Sequence, residues 1–297
     1  MSEWWQQSAR AVSEKHRERA IAHQNQLTKP PGSLGRIEQI AVELCALQQC
    51  DMPHVDKVSI AVFAADHGVA AEGVSAFPQV VTGEMVKNFA AGGAAITVLA
   101  RALSAQFQVV NVGTVGELPV LPHVLDRRIA AGTTNFCQAP AMSADECALA
   151  LQVGADVIDQ LHDCELFIGG EMGIANTTAA TALACALLSV APKELVGRGT
   201  GVDDAGLLRK TAVIDAALHK HREHLHAPLT ALQYLGGFEI AALAGAYIRC
   251  AQRGVPVLVD GFICTAAALV ATRINATIAP WLLFSHASAE RGHRVLI

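Results

Sequence analysis

Charged and aromatic residues are scarce in this sequence. Of its 297 residues only 16% are charged and 5% aromatic, whereas 52% are hydrophobic. Disordered chains combine high charge with low hydrophobicity, so this composition excludes disorder. Lys and Arg number 22 against 27 Asp and Glu, which gives a net charge of -5, and no stretch is rich in Lys and Arg. We therefore expect neither nucleic acid nor a membrane surface as a partner.

Paired cysteines, metal-ligand spacings and membrane segments are also missing. Eight cysteines are scattered among apolar residues, without a Cys-x-x-Cys pair or a zinc-like Cys/His cluster. This pattern predicts reduced core cysteines, no metal site and a cytoplasmic protein. The amino terminus lacks the basic start and apolar core of a signal peptide. The longest uncharged stretch, 172–192, carries several Asn, Thr and Ser residues, so we predict a buried helix there and no membrane span.

The sequence changes its pattern near residue 50. Residues 1–50 are polar and helical in pattern, and a helix is predicted after the Pro30-Pro31-Gly32 break. Its apolar face would contain Ile37, Ile40, Ala41, Leu44 and Leu47. Residues 51–297 alternate short apolar runs with Ala-rich helical segments, which is typical of βαβ units. We predict an α/β fold with a parallel sheet flanked by helices, either as one large domain or as a small helical domain at 1–50 and a large domain at 51–297.

Five strands are predicted in the large domain, and polar residues follow each of them. The strands are expected at Val58–Ala64, Gln108–Val112, Glu165–Ile168, Val255–Val259 and Trp281–Phe284. The segments that follow them are Asp66-His67-Gly68, Gly113-Thr114, Gly169-Gly170-Glu171, Asp260-Gly261 and Ser285-His286. Ligands bind outside the carboxyl ends of the strands in an open parallel sheet. The sequence therefore predicts a ligand site where these segments meet.

The segment 169–178 leads from a strand into an Ala-rich helix. Its glycines allow a close backbone approach, and its Asn and Thr residues are expected to cap the first turn. Free amides at such a helix start favour a phosphate site, although a tight turn with an ordinary cap fits the same pattern. Glu171 could exchange a proton or a hydrogen bond with a ligand. The glycine spacing matches neither a dinucleotide-binding turn nor a P-loop.

Other polar residues have both a functional and a structural interpretation. Asp66 and His67 could contact a ligand or form a structural hydrogen-bond hub. Asp260 ends an apolar strand, where an acid is costly unless it is paired or functional. Lys210 follows the Gly/Asp-rich loop 199–204, and a surface ion pair with Asp203 or Asp204 is favoured over phosphate binding. A solvated helix face is predicted for His219, His221, His224 and His226. The turn at 29–36 is interpreted as architectural.

Several segments together resemble the nicotinate-nucleotide:dimethylbenzimidazole phosphoribosyltransferase family. They are Leu27-Thr28-Lys29-Pro30-Pro31-Gly32-Ser33-Leu34-Gly35, Ala65-Asp66-His67-Gly68-Val69, Val74-Ser75-Ala76-Phe77-Pro78-Gln79, Pro140-Ala141-Met142-Ser143, Gly170-Glu171-Met172-Gly173-Ile174-Ala175-Asn176-Thr177-Thr178, Val259-Asp260-Gly261-Phe262 and Ser285-His286-Ala287-Ser288-Ala289-Glu290. The resemblance implies a Rossmann-like fold, a small helical domain built from both chain ends, and a homodimer. It also implies transfer of phosphoribose from nicotinate mononucleotide to 5,6-dimethylbenzimidazole in cobalamin biosynthesis, with no cofactor and no metal.

The resemblance also implies roles for individual residues. Glu171 would contact the ribose or the base, and Asp260 would line the same cleft, so both are the expected catalytic residues. Phosphate would be held by Lys210, Ser288 and the 173–178 turn with Gly173, Asn176, Thr177 and Thr178. Asp66 and His67 would belong to the substrate site. Phe77 and Met85 would form an apolar slot for the flat benzimidazole.

This chain differs from members of the family at its last residues. Members of the family continue to an Arg-Leu-Gly-Glu-Gly-Thr-Gly stretch whose glutamate is the general base, whereas this sequence ends at Ile297. The expectation is therefore transfer slowed by about 10²–10⁴-fold, or a remnant that binds nucleotide and benzimidazole without turnover. A generic nucleotide-dependent hydrolase or kinase is the third hypothesis. It would need a metal-binding acid cluster or a P-loop, and the sequence has neither.

Overall fold

A six-stranded parallel sheet organises the chain in a computed structural model that describes residues 3–199, 201–290 and 292–296. The strands are β1 Val58–Ala65, β2 Gln106–Gly113, β3 Val124–Asp126, β4 Leu166–Met172, β5 Val257–Val259 and β6 Leu282–Phe284. Their order in the sheet is β3-β2-β1-β4-β5-β6, and all pairs are parallel. The predicted α/β class is confirmed.

Twelve α-helices surround the sheet within the described ranges. They are α1 Glu14–Gln24, α2 Arg36–Gln48, α3 Val80–Ala90, α4 Ala95–Ala102, α5 Ala144–Asp159, α6 Asn176–Leu188, α7 Pro192–Leu195, α8 Asp204–His221, α9 Pro228–Leu235, α10 Phe238–Arg253, α11 Phe262–Ile274 and α12 His293–Leu296. Short 3-10 helices lie at Trp4–Gln6, Gly68–Glu72, Arg222–His224 and Ala276–Trp281. The buried helix expected within 172–192 is α6.

Both faces of the central strands are covered. Alternate residues of β1 face opposite sides, since side chains in a strand alternate. Phe63 belongs to the main core with α5, α10 and α11, whereas Val62 packs in a second cluster with Val86 and Phe89 of α3. Helices α5 and α10 approach very closely, because a Cβ on Gly154 would lie 1.8 Å from the Ala242 carbonyl oxygen. This double coverage explains the continuous apolar runs of the strands.

All five predicted strands are present, but two details of the sheet differ from the prediction. Strand β4 was expected to end at Ile168, yet it continues to Met172 and includes Glu171. Its Gly169 lies against the Leu243 and Tyr247 side chains of α10, so that close packing requires glycine inside a strand. Strand β3 was not predicted, because prolines precede it in the sequence and its three residues gain strand geometry only by pairing with β2.

Two predictions about surface and core positions are wrong. Ile37 was assigned to the packing face of α2, but it is 67% exposed, and the buried residues of that helix lie in its last turns. His221 was placed on a solvated face, but it is buried, with Nε2 2.7 Å from the Phe136 carbonyl oxygen and its ring against Tyr234. Burial lowers the pKa of His221.

The turn at 29–36, the cysteines and the helix lengths concern further expectations about the chain's architecture. The turn at 29–36 is tied to α2 by Glu38, which pairs with Lys29 at 2.7 Å and accepts bonds from the Gly32 and Leu34 amides. All eight cysteines are unpaired, and each is at least partly buried. Along the described ranges, helices that combine the length and the apolarity needed to cross a bilayer are absent. The division into domains at residue 50 stays a prediction.

Candidate active site

The carboxyl ends of β1 and β4 form the centre of the candidate site. From this pair the chain proceeds outward in opposite directions, through β2 and β3 on one side and β5 and β6 on the other. Such a reversal of strand order opens a crevice for ligands above the sheet. Phe63 is paired with Glu171 and Ala64 with Met172, so Asp66 and His67 follow β1 beside the end of β4. The predicted meeting is confirmed for the segments that follow β1 and β4.

Asp66 has the structural role that was one of its two interpretations. It is fully buried, and its Oδ1 accepts a 2.6 Å bond from the Thr82 hydroxyl, while Oδ2 accepts a 2.9 Å bond from the Val115 amide. The Thr82 oxygen also accepts a 3.1 Å bond from the Ile174 amide. Burial raises the pKa of Asp66. Asp66 and Thr82 therefore fix the turn that follows β4.

His67 forms a buried pair with Glu239, a residue that the sequence analysis missed. The His67 Nε2 and Glu239 Oε1 atoms are 2.6 Å apart, and the side chains are 1% and 0% exposed. Burial opposes protonation, but the charge and hydrogen bond of Glu239 outweigh it and raise the pKa of His67. Gly173 and Gly237 leave room for the ring: a Cβ on Gly237 would lie 2.2 Å from His67 Cε1. The sequence signal that could have identified Glu239 is an acidic residue in the otherwise apolar first turns of α10.

Glu171 lies at the end of β4 and is partly buried. Its Oε2 accepts a hydrogen bond from the Asn176 side-chain amide. Burial, followed by the negative charge of Glu239, raises the pKa of Glu171 to about 7, although the bond from Asn176 acts in the opposite direction. A carboxyl group with this pKa is present in both protonation states at neutral pH, so it can donate or accept a hydrogen bond at a ligand.

The start of α6 differs from the predicted capped helix. The N-cap is Ala175, in the left-handed region with φ 74°, and it makes no side-chain cap bond. The Asn176 side-chain amide donates to the Glu171 carboxylate instead, and the Thr177 hydroxyl accepts a hydrogen bond from Lys210. Three amides of the turn already have protein partners, those of Ile174, Asn176 and Thr178. The tertiary contacts of the turn therefore replaced the local capping that sequence alone suggested.

The structure contradicts the surface ion pair that was predicted for Lys210 of α8. The side chain is 1% exposed, and Nζ donates to the Thr177 hydroxyl at 2.7 Å and to the Gly197 carbonyl at 3.2 Å. Asp203 instead caps α8 through the Gly206 amide, and Asp204 pairs with Arg198. Burial lowers the pKa of Lys210 to about 8. In the loop 199–204, Thr200 lies outside the described residues.

Among the residues that the structure describes, the ammonium of Lys210 is buried with neutral acceptors only. None of the carboxylates in the described ranges forms an ion pair with it, although Glu290 favours its charge from a greater distance. A buried cation that is not neutralised by the protein is a favourable place for an anionic ligand group. Gly199 completes the enclosure, because a Cβ there would lie 2.7 Å from Thr177 Oγ1.

The remaining predicted site residues lie at the rim. Asp260 is exposed, so its carboxylate does not have the burial cost that the sequence suggested. Its Oδ1 is 3.8 Å from His286 Nδ1. Ser288 is partly buried, and its amide donates to His293. Met85 packs in the cluster on the α3 face of the sheet, together with Met172. Phe77 is 51% exposed on the loop before α3.

The ionisable groups of the site are carboxyl, imidazole and ammonium groups. In the part of the chain that is described, no three His, Cys, Asp or Glu side chains are grouped as metal ligands. Its ionisable components are the buried pair His67–Glu239, the carboxyl group of Glu171 with its pKa of about 7, and the ammonium of Lys210. This arrangement can bind an anion and hold a polar ligand beside a titratable carboxyl group.

Comparison with known proteins identifies the class to which the fold and site belong. A family model described as a phosphoribosyltransferase matches residues 9–297. A crystal structure of CobT from Thermus thermophilus superposes with a TM-score of 0.92 at 43% identity, covering 95% of this chain and 85% of that one.

Curated relatives give the more particular family. The nicotinate-nucleotide–dimethylbenzimidazole phosphoribosyltransferase of Xanthomonas euvesicatoria pv. vesicatoria is 58% identical over 300 residues, covering 100% of this chain and 86% of the relative. The protein of the same name from Pseudomonas aeruginosa strain UCBPP-PA14 is 54% identical over 294 residues, covering 98% and 84%. The chain therefore belongs to the nicotinate-nucleotide–dimethylbenzimidazole phosphoribosyltransferase family, which confirms the resemblance of its segments.

Proposed function

We propose that this protein transfers the 5-phosphoribosyl group from nicotinate mononucleotide to 5,6-dimethylbenzimidazole. The products are α-ribazole 5′-phosphate and nicotinate, as in cobalamin biosynthesis. Family membership supports the reaction, and one structural observation carries the substrate class: the unneutralised ammonium of Lys210 beside the start of α6. A phosphate ester is the anionic group that such a site binds well.

The reaction needs positioning more than activation of the donor. The bond between the ribose anomeric carbon and the pyridinium nitrogen breaks, and its electron pair leaves with nicotinate. A benzimidazole nitrogen forms the new bond from the opposite face, which inverts the carbon from β to α, and the second ring nitrogen releases its proton. Holding the two rings on opposite sides of an oxocarbenium-like carbon is the main catalytic requirement.

The described residues suit these tasks. Lys210 and the 173–178 turn with Gly173, Thr177 and Thr178 hold the phosphate, and Ser288 reaches it from the rim. Glu171, oriented by Asn176, bonds the ribose or the base, and its pKa of about 7 allows either protonation state. Asp260 lines the same cleft from the end of β5.

The acceptor requires an apolar slot, and the apolar side chains on the α3 side of the crevice support placing it there. Met85 and Met172 pack in the same hydrophobic cluster, and Phe77 lies exposed at the entrance of α3. Flat aromatic ligands bind between such apolar side chains. We assign this side of the crevice to dimethylbenzimidazole and the Lys210 side to the nucleotide.

Incubating the purified chain with both substrates tests the proposal. The expected result is α-ribazole 5′-phosphate, measured by chromatography, and the K210M variant should lose at least about 100-fold in kcat/KM because a buried charged contact is removed. K220M, an exposed lysine on the same helix, is the matched control and should retain activity. Binding of nicotinate mononucleotide without product would instead support the binding-only alternative. A strict requirement for a divalent cation would contradict the metal-free reaction.

We further propose a cytoplasmic homodimer. Three large apolar side chains are exposed in the middle of α4 and just after it, Val98, Leu99 and Leu103, and exposed apolar side chains of this kind are suited to contact with a second copy of the chain. Sedimentation at several protein concentrations tests the dimer, and a monomer at all of them would contradict it.

A further inference from the structure

Residues 285–290 follow β6 and form a rim segment, which is held by one buried histidine. His293 is fully buried, and its Nδ1 lies 2.6 Å from the Ser288 amide nitrogen. Its Nε2 lies 2.8 Å from the Thr265 hydroxyl oxygen in the first turn of α11. The His293 amide also donates to the Glu290 carbonyl at 3.0 Å. One side chain therefore joins the rim segment to α11.

The hydrogen-bond partners define the protonation state of His293. An amide N–H can only donate, so Nδ1 must be an unprotonated acceptor. The ring proton is then on Nε2 and is donated to the Thr265 oxygen, whose own hydroxyl donates to the Gly261 carbonyl at 2.8 Å. Only the neutral Nε2–H tautomer satisfies all three bonds. A protonated ring would break the bond to Ser288.

The rim segment extends from this anchor toward the Lys210 site. The Ser288 hydroxyl oxygen accepts a 3.2 Å bond from the Glu290 amide, which leaves its hydrogen available to a ligand. The Glu290 carboxylate lies against Gly197, since a Cβ there would be 1.6 Å from Oε2. The carbonyl of Gly197 accepts from Lys210. The placement of Ser288 and Glu290 relative to Lys210 therefore depends on the anchor at His293.

We propose that His293 is a positioning residue: as the neutral tautomer it holds the Ser288 amide and thereby orients the rim segment over the phosphate of the nucleotide bound at Lys210. This inference rests on the proposed function. The hydrogen-bond partners of His293 are the Ser288 amide, the Thr265 hydroxyl and the Glu290 carbonyl, so its proposed effect on the nucleotide passes through the rim segment.

The groups that face His293 favour its neutral state. Burial lowers its pKa, and the neighbouring His286 acts in the same direction, whereas Asp260 opposes them. The two imidazole rings meet edge to face with their centroids 6.0 Å apart, and Asp260 Oδ1 is 3.8 Å from His286 Nδ1. Acidification should therefore weaken nucleotide binding, as protonation of His293 releases Ser288.

Two substitutions separate the bonds of His293. The Asn oxygen in H293N occupies the position of Nδ1 and can accept from Ser288, but this shorter side chain loses Thr265. The Gln amide in H293Q occupies the position of Nε2 and can donate to Thr265, but it loses the acceptor for Ser288. We expect H293Q to raise the KM for nicotinate mononucleotide about tenfold, with kcat and the KM for dimethylbenzimidazole changed less than twofold. H293N should stay within about twofold of the wild type.

A double-substitution cycle and a spectrum complete the test. In the S288A background the effect of H293Q on KM should largely disappear, because both changes act through one residue. Equal effects of H293N and H293Q, or an additive effect with S288A, would overturn the proposal. Nitrogen-15 NMR of the unsubstituted protein should show the Nε2–H tautomer at neutral pH, and the other tautomer would also overturn it. If the unsubstituted protein makes no product, the proposed function fails, while the spectrum and equilibrium nucleotide binding still test His293.

Discussion

At the scale of single residues, the candidate site depends on two side chains whose surroundings change their charge. Burial and the charge of Glu239 raise the pKa of Glu171 to about 7 from the ordinary 4.5. Burial lowers the pKa of Lys210 to about 8 from 10.5. A strand end and an enclosed helix face thus make both groups titrate much closer to neutral pH, where small changes in ligand or solvent alter their protonation.

The raised pKa of Glu171 predicts a specific pH dependence of stability. The unfolded chain releases this proton near pH 4.5 and the folded chain near pH 7, so the free energy of unfolding should fall between these values as the pH rises. E171Q removes this ionisation, so its free energy of unfolding should not show that fall. The difference in free energy of unfolding between E171Q and the wild type should therefore be about 2 kcal/mol more favourable to E171Q at pH 8 than at pH 5. Urea unfolding at the two pH values measures this. E18Q, an exposed position on α1, is the control and should show no gain.

The lowered pKa of Lys210 predicts a pH dependence of nucleotide binding. Above pH 8 the free protein loses the ammonium proton, so the affinity for nicotinate mononucleotide should decrease up to about tenfold for each further pH unit. Calorimetric titrations at pH 7 and pH 9.5 measure the change. K210M should bind weakly at both values and show no such dependence. A wild-type affinity that is constant over this range would contradict the assignment of the phosphate to Lys210.

At the scale of secondary-structure elements, a hydrogen-bond chain joins three of them at the crevice. Thr82 of α3 donates to Asp66 after β1 and accepts from Ile174 before α6. All three groups are buried, so each bond satisfies a polar group that would otherwise be costly. The chain explains how the turn at 173–175 keeps its shape although α6 has no side-chain cap.

Substitution of Thr82 tests this link between elements. T82V keeps the volume but leaves the Asp66 oxygen and the Ile174 amide without their partner, so the free energy of unfolding should fall by about 2–4 kcal/mol. Hydrogen exchange at the Ile174 amide should accelerate. T82S retains the hydroxyl and should restore slow exchange, even though it loses a methyl group. If T82V exchanges as slowly as the wild type, another group holds the turn.

At the scale of the whole molecule, the amino-terminal segment attaches to the end of the sheet opposite the site. Asn275 donates to the Trp5 and Gln7 carbonyls at 2.9 and 2.8 Å. Trp281, just before β6, donates to the Arg10 carbonyl at 3.1 Å. These contacts lie at the amino ends of the strands, whereas the candidate site lies at their carboxyl ends. Stability and activity should therefore be separable there.

Trp4 provides the test of that separation. It is buried against Trp5, and the Arg249 guanidinium lies 4.6 Å from its ring centroid. W4A should lower the free energy of unfolding by about 3–5 kcal/mol, because it removes a large buried ring. At low temperature kcat/KM should remain within about twofold of the wild type. W4F preserves part of the packing and should lose less stability, and an equal activity loss in both variants would contradict the separation.

Strong local patterns predicted much of this molecule. Short apolar runs located β1, β2, β4, β5 and β6, and polar residues after them located the crevice, because parallel strands bring their carboxyl ends to one edge. Local pattern failed where contacts with residues distant in sequence determine a strand or the role of a side chain. Glu239 was missed because its partner His67 is 172 residues away, and β3 was missed because pairing with β2 creates it.

The sequence by itself determined the fold class, the family, and the place of Glu171 near the carboxyl end of a strand and of Lys210 after a Gly/Asp-rich loop, since these depend on composition, periodicity and contiguous motifs. Only the tertiary structure decided the chemical state of those residues. Lys210 lost its expected ion pair because α8 buries it against Thr177 and Gly197, while Asp203 and Asp204 have other partners. Charge and protonation depend on desolvation and on neighbours distant in sequence, which the order of residues does not display.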